Sequence, residues 1–273
     1  MEDFAGLAAS VERGQAEAMV ELALDAAPVG GGWMTFGGPA SFVNKACGLG
    51  LEGPVPPSVA GVLGDFFRER GAEPRVEICP FVHESLLRAL AGESFRLQEF
   101  ENVLFRPLPP AEGLRAAMPH LWPAGLEVER IDAADAEAAA LYVRVSSSGF
   151  FPGGASMSES FLRTSLRAVH LPAHDSFIAR LDGEVAGAGG CASRGGVTSL
   201  FGTSVLPAFR RRGIQQALIV ARLERGRERG SRLATIVSHP GIPTERNAAR
   251  LGFRMAYTRA ILVRPGEGLV PSP

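Results

Sequence analysis

The chain is short of the residues that usually advertise chemistry: three cysteines, two tryptophans, two tyrosines and five histidines in 273 residues. Cys47, Cys79 and Cys191 are odd in number and far apart. That excludes a disulfide framework and a cysteine-built metal cluster, and fits reduced, buried thiols. Charge of one sign is missing too. Lys and Arg number 28 against 29 Asp and Glu, a net of −1, so no global field recruits nucleic acid or an anionic membrane surface. No apolar run reaches the roughly 20 residues of a membrane span. The start, Met1-Glu2-Asp3-Phe4, is acidic where a secretory signal is basic, so a cytoplasmic location is expected. His170 and His174 have ligand-like spacing but no third ligand nearby, and no metal is expected. No Walker loop or Ser-His-Asp arrangement is visible.

What the chain does have is glycine (33), proline (20) and an internal echo. Arg68-Glu69-Arg70-Gly71 returns as Arg227-Glu228-Arg229-Gly230, and Val76-Glu77-Ile78-Cys79-Pro80 as Ile236-Val237-Ser238-His239-Pro240. Leu90-Ala91-Gly92-Glu93-Ser94-Phe95-Arg96 parallels Ala249-Arg250-Leu251-Gly252-Phe253-Arg254, and Val103-Leu104-Phe105-Arg106-Pro107 parallels Ile261-Leu262-Val263-Arg264-Pro265. Four landmarks in one order at near-constant spacing indicate a duplicated domain, each copy reading helix, buried strand, helix, long strand. Prolines 107, 109, 110, 119 and 123 lie between the copies, and proline disfavours helix and removes backbone donors. The expected division is residues 1–111, a semi-rigid linker at 112–123, and residues 124–273.

In the second copy, Gly125 to Ile131 alternates as a strand, and Asp132 or Asp135 can cap a helix ending near Val145. Ser156 with Glu159 reads as a capping box. Asp182-Gly183 and Gly195-Gly196 are turns in a three-strand meander. Gly187-Ala188-Gly189-Gly190-Cys191-Ala192 matches a dinucleotide fingerprint but lies inside a strand and leads to another strand, so its small residues are read as permitting close backbone approach. Thr244 is expected to cap a short helix stopping at Gly252, and His239 is read as structural.

The segment that carries chemistry is Val205-Leu206-Pro207-Ala208-Phe209-Arg210-Arg211-Arg212-Gly213-Ile214-Gln215-Gln216. It is a strand end, a basic turn, a glycine and an immediate helix start. Helix-start N–H groups lack intrahelical partners, and the helix dipole adds positive potential there. Arginines and a glycine at such a point form an anion cradle suited to a pyrophosphate.

With Asn247 and Leu251-Gly252-Phe253 in place, the element order and the Val-x-Pro-x-x-Arg-x-x-Gly turn make residues 125–265 resemble the GNAT N-acetyltransferases. The resemblance implies an α/β fold of two tandem GNAT-like modules, each a mixed, mostly antiparallel sheet flanked by helices. It implies acetyl-CoA as co-substrate. Its pyrophosphate would lie on the backbone of Arg210, Arg211, Arg212, Gly213, Ile214, Gln215 and Gln216. Its pantetheine arm would run along the bulged strand edge at Ser204 and Val205, and Thr244 and Asn247 complete the expected cofactor set. The acceptor implied is a primary amine, on a small molecule or on a protein. The alternative is a non-catalytic acyl-CoA sensor, because Ala248 stands where many members carry a tyrosine and the strand 197–203 has no carboxylate. No general acid or base is assigned. Gln215 also stands where Gly or Ala is usual. In the first copy the equivalent loop is Leu51-Glu52-Gly53-Pro54-Val55 followed by Pro56-Pro57. Three prolines delete donors and Glu52 puts negative charge at the phosphate position, so that copy is expected not to bind CoA.

Overall fold

The computed structural model describes residues 3–119, 121–151 and 157–272. These form two compact units, one of residues 1–102, 158–164 and 256–273, the other of 103–157 and 165–255. The expected capping Ser156 lies outside the described residues. The hydroxyl of Ser158 accepts from Phe161 N–H at 3.0 Å at the start of the helix Glu159–Val169.

In the first unit, α1 (Phe4–Leu22), α2 (Val59–Arg68) and α3 (Glu84–Gly92) accompany strands β1 (Asp25–Val29), β2 (Gly32–Phe36), β3 (Lys45–Cys47) and β4 (Arg75–Ile78). Gly30 and Gly31, at φ +55° and +84°, supply the left-handed turn of the β1–β2 hairpin. β4 is flanked on its other side by β11 (Arg254–Val263), antiparallel, with Ala260 opposite Ile78 and Val263 opposite Arg75. Leu63, Phe67, Val76, Leu86 and Leu90 are among the core residues, all fully buried.

A second, polar interior lies beside this core. Arg259 on β11 is 1% exposed and donates to Glu12 on α1 at 2.9 Å and to Glu77 on β4 at 2.8 Å. Tyr257 donates to Glu12 at 2.6 Å, and Lys45 pairs with Glu77 at 2.7 Å. Burial disfavours the Arg259 charge, yet Glu12 and Glu77 outweigh it and hold its pKa well above the ordinary value.

The second unit runs β6 (Leu126–Arg130), α4 (Ala136–Ser147), the end of α5 (Glu159–Val169, whose residues up to 164 belong to the first unit), β7 (His174–Leu181), β8 (Glu184–Arg194), β9 (Val197–Val205), α6 (Ile214–Glu228), β10 (Leu233–Ser238) and α7 (Pro243–Arg250). Its strands follow the order β10-β9-β8-β7-β6, with the end of β5 (Arg96–Pro107) beside β10. Asp135 caps α4, accepting from the N–H groups of Glu137 and Ala138 at 3.0 Å. Asp182-Gly183 (φ +52° and +83°) and Gly195-Gly196 (φ +53° and +79°) make the two tight turns of the meander. The pair β9–β10 is parallel, and α6 supplies the crossover that parallel neighbours need. α6 is buried almost all round, with Ile214, Ala217, Leu218, Ile219, Val220 and Leu223 in the core.

Both copies therefore show the expected helix, strand, helix, long strand (α2-β4-α3-β5 and α6-β10-α7-β11). The compact units do not follow the sequence halves, because residues 103–107 of β5 complete the second unit and residues 256–263 of β11 complete the first. The proline-rich segment also differs from a linker. Leu114 and Met118 enter the second unit's core, and Arg115 lies over the Trp122 ring at 4.6 Å. A short 3-10 helix, Leu114–Ala117, forms between the prolines and lets these apolar side chains bury.

Candidate active site

The predicted basic turn sits where β9 ends and α6 begins. Phe209 N–H bonds to Leu206 carbonyl at 2.9 Å, closing one short turn over Pro207–Phe209. Arg211 then takes a left-handed φ of +65°, and Gly213, at φ +78°, is the N-cap of α6. A left-handed residue in such a loop lets backbone N–H groups converge on one anion. For Arg211 the conformation costs on the order of 1 kcal/mol. No side chain caps α6, and its first intrahelical bond is Ala217 N–H to Gly213 carbonyl at 3.1 Å. The N–H groups of Ile214, Gln215 and Gln216 thus precede the helical ladder.

The three arginines behave differently from one another. Arg210 Nε folds back to the Val205 carbonyl at 3.2 Å, Arg212 lies 5.8 Å from the Phe209 ring, and all three side chains are exposed. Gln215, Gln216, Thr244 and Asn247 are brought together by their side chains. Gln215 donates to Thr244 at 2.9 Å, Asn247 donates to Gln215 at 2.5 Å, and Gln216 donates to Asn247 at 3.3 Å. Thr244 is therefore not the helix cap: Ile242 holds that position, Pro243 opens α7, and the Thr244 hydroxyl is turned to α6. Gln215, which has no counterpart in a glycine, ties α6 to α7.

β9 carries the expected irregularity. Its register with β8 is regular through Gly190↔Phe201 and resumes at Ala188↔Ser204, so two residues, Gly202 and Thr203, oppose the single Gly189. Gly202 is left-handed at φ +55°, as a bulge requires. On the other side, the parallel ladder with β10 ends at Leu200↔Ile236 although both strands continue. Phe201 and Val237, the next residues on each strand, are 38% and 37% exposed. The two strands thus part beyond this point, and the edge of β9 at 201–205 faces the opening. Ser204 itself points away, donating to the Ser146 carbonyl at 2.7 Å and accepting from Gly149 N–H at 3.0 Å. Its backbone pairs with Ala188 on β8, and the Val205 carbonyl accepts from Arg210, so by the alternation of the antiparallel ladder it is the Val205 N–H that turns to the edge.

Two side chains at the bulge escaped the sequence reading. Tyr142 on α4 is 6% exposed, and its hydroxyl lies 3.6 Å from where a Cβ on Gly202 would stand. Burial raises its pKa, opposed by hydrogen bonding to Ser176, so the phenol keeps its proton. Arg222 on α6 is 1% exposed, and burial lowers its pKa to about 10. The signal was present: Ile214, Ala217, Leu218, Ala221 and Arg222 share one helical stripe, and a charge on an apolar stripe asks for a partner. The three thiols are buried as expected, with pKa values pushed up by that burial. Among the described residues no cluster of His, Cys, Asp or Glu could hold a metal, and no helix is long and apolar enough to cross a membrane.

Residues 139–253 match the model of the acetyltransferase (GNAT) family. Among solved structures, a GCN5-related N-acetyltransferase from Kribbella flavida is similar over 96% of this chain and 97% of its own, at 18% identity and TM-score 0.70. A conserved protein of unknown function from Staphylococcus epidermidis is similar over 87% and 92%, at 11% identity and TM-score 0.60. A tandem GNAT protein from the clavulanic acid biosynthesis pathway is similar over 76% and 69%, at 16% identity and TM-score 0.57. A search of curated proteins found no match.

Proposed function

We propose that this chain, which carries a GNAT acetyltransferase domain at residues 139–253, transfers an acetyl group from acetyl-CoA to a primary amine of a small molecule. Acyl-CoA N-acyltransfer is the general activity of that family and fold. One observation carries the finer reading: the strand edge freed beyond Leu200↔Ile236 leads directly into the uncapped start of α6. An extended amide-bearing arm can pair along 201–205 while its diphosphate meets the N–H groups from Arg211 to Gln216. One ligand would satisfy both.

In this reading a neutral amine attacks the thioester carbon. A C–N bond forms, the C–S bond breaks, the amine loses a proton to solvent, and the thiolate leaves as CoA. The protein supplies orientation, and a backbone N–H on the freed edge of β9 faces the developing oxyanion. No side-chain base on β9 or β10 is invoked, because neither strand carries an Asp or Glu. The first unit binds no CoA in this account. Glu52 there pairs with Arg13 at 3.0 Å, and the Val55 N–H is already bonded to the Ser85 hydroxyl at 2.8 Å.

The second reading, an acyl-CoA sensor, is favoured by the general-acid position. Ala248 is fully buried, and Tyr257 is engaged with Glu12 in the first unit. Thiol release from acetyl-CoA, followed against a panel of small amines and of peptides with free N-termini, separates the readings. Transfer to a small amine supports the proposal, transfer only to peptides moves the acceptor to proteins, and tight acetyl-CoA binding without any transfer supports the sensor.

A further inference from the structure

The stretch Gly189-Gly190 leaves room for two side chains that approach from opposite faces of the sheet. A Cβ on Gly189 would stand 3.1 Å from Arg222 Cζ, and one on Gly190 would stand 2.7 Å from the Phe201 ring and collide with the Tyr142 hydroxyl. From the α6 side, one Arg222 terminal nitrogen donates to the carbonyls of both Gly190, at 3.0 Å, and Phe201, at 3.2 Å. Its Nε donates to Leu218 in its own helix at 2.8 Å. Gly190↔Phe201 is the last regular pair before the β8–β9 register slips.

Packing alone gives no reason for this cation. Among the described residues no carboxylate pairs with it, and an apolar side chain of similar volume would fill the space without burying a charge. What the guanidinium does that an apolar group cannot is hold two strand carbonyls at one point. A bulge left unheld at that point can migrate or straighten, since register is fixed only by what opposes it.

We propose that Arg222 is a positioning residue: it clamps the last regular β8–β9 pair, so that the Gly202-Thr203 bulge stays in place and the edge of β9 beyond it faces the gap beside β10. The inference rests on the acyl-CoA reading of that gap. Arg222 touches no part of the ligand and acts through the strand. Its loss therefore affects the acyl-pantetheine half of the cofactor and spares the diphosphate half, which sits at the other end of the freed edge.

The test compares acetyl-CoA with adenosine 3′-phosphate 5′-diphosphate, which lacks the pantetheine arm, as ligands of the full chain. Arg222→Met weakens acetyl-CoA at least tenfold and leaves the nucleotide within twofold, and Arg222→Lys restores part of the loss. Leu181→Ala, in the same core but remote from the bulge, changes both ligands together or neither. Amide hydrogen exchange at residues 202–204 accelerates in Arg222→Met before any ligand is added. Equal loss of both ligands, or no loss of either, overturns the proposal. Should wild-type protein bind neither ligand, the cofactor reading is what fails. Exchange then decides alone: faster exchange at the bulge upholds the clamp, and unchanged exchange refutes it.

Discussion

Arg106 Nε donates to the carbonyl of Leu251 at 2.6 Å, closing the C-terminal end of α7. Under the internal repeat Arg106 corresponds to Arg264, and Leu251 to Glu93. Arg264 in turn donates to Glu93, the C-cap of α3, at 2.9 Å. Each long strand thus brings an arginine to the end of the other copy's short helix. The exchange of β5 and β11 is reciprocal, and an arginine at the same repeat position secures each side, on a main-chain carbonyl in one case and on a carboxylate in the other.

Arg259 secures the β11 side more deeply. Replacing it with leucine leaves Glu12 buried without its cation and Glu77 with Lys45 alone, and breaking a buried pair in this way costs about 3–5 kcal/mol. Trp33 lies in the first unit and Trp122 in the second, so Trp122→Phe makes fluorescence report the first unit alone. Urea melts in that background are expected to show the loss. An unchanged midpoint for Arg259→Leu would mean the network does not hold β11.

The same network has a pH signature. Burial by itself raises the Glu77 pKa, but Lys45, Arg259 and Arg75 overcome it and bring it to about 2 from the ordinary 4.5. A carboxyl depressed on folding contributes stability above its unfolded value and loses it as pH falls through the folded one. Stability of the first unit therefore declines from about pH 4.5 towards pH 2. Glu77→Gln flattens that decline, read from urea midpoints of the Trp33 signal across the window.

Much of this was legible in the sequence, and what was not has physical causes. The meander, its glycine turns, a cap at Asp132 or Asp135 and the turn into α6 depend on local chemistry, so periodicity and turn residues revealed them, whereas the bulge of β9 was expected only from the GNAT resemblance. The exchange of strands was hidden, because β5 and β11 look alike in either unit and only long-range pairing distinguishes them. Leu114 and Met118 were masked by the surrounding prolines, because the one helical turn between them, Leu114–Ala117, is too short to show a periodicity. Thr244 looked like a cap because it precedes a helix, yet Pro243 starts α7 one residue sooner. Arg222 and Tyr142 were passed over because burial of a polar side chain is decided by what packs upon it.

Gly190→Ala is predicted to destabilise the second unit by about 1–3 kcal/mol, the usual cost of overpacking a filled interior. The added methyl meets Phe201 at 2.7 Å and the Tyr142 hydroxyl. Thermal melts followed by Trp122, in a Trp33→Phe background, measure it. A combined Gly190→Ala, Tyr142→Phe variant is expected to recover part of the loss, because the hydroxyl is one of the two obstructions. No loss in the single variant would mean that the bulge is looser than its geometry indicates.

The most direct test of the cofactor site is calorimetric titration of the full chain with CoA. The account predicts one site per chain. Gly213→Pro should abolish binding, because proline removes an N–H from the loop and cannot adopt the φ of +78° found there. Binding at 100 times the dissociation constant would also stabilise wild-type protein by about 2.7 kcal/mol. Two sites per chain, or one site indifferent to Gly213→Pro in a variant that still melts cooperatively, would contradict it.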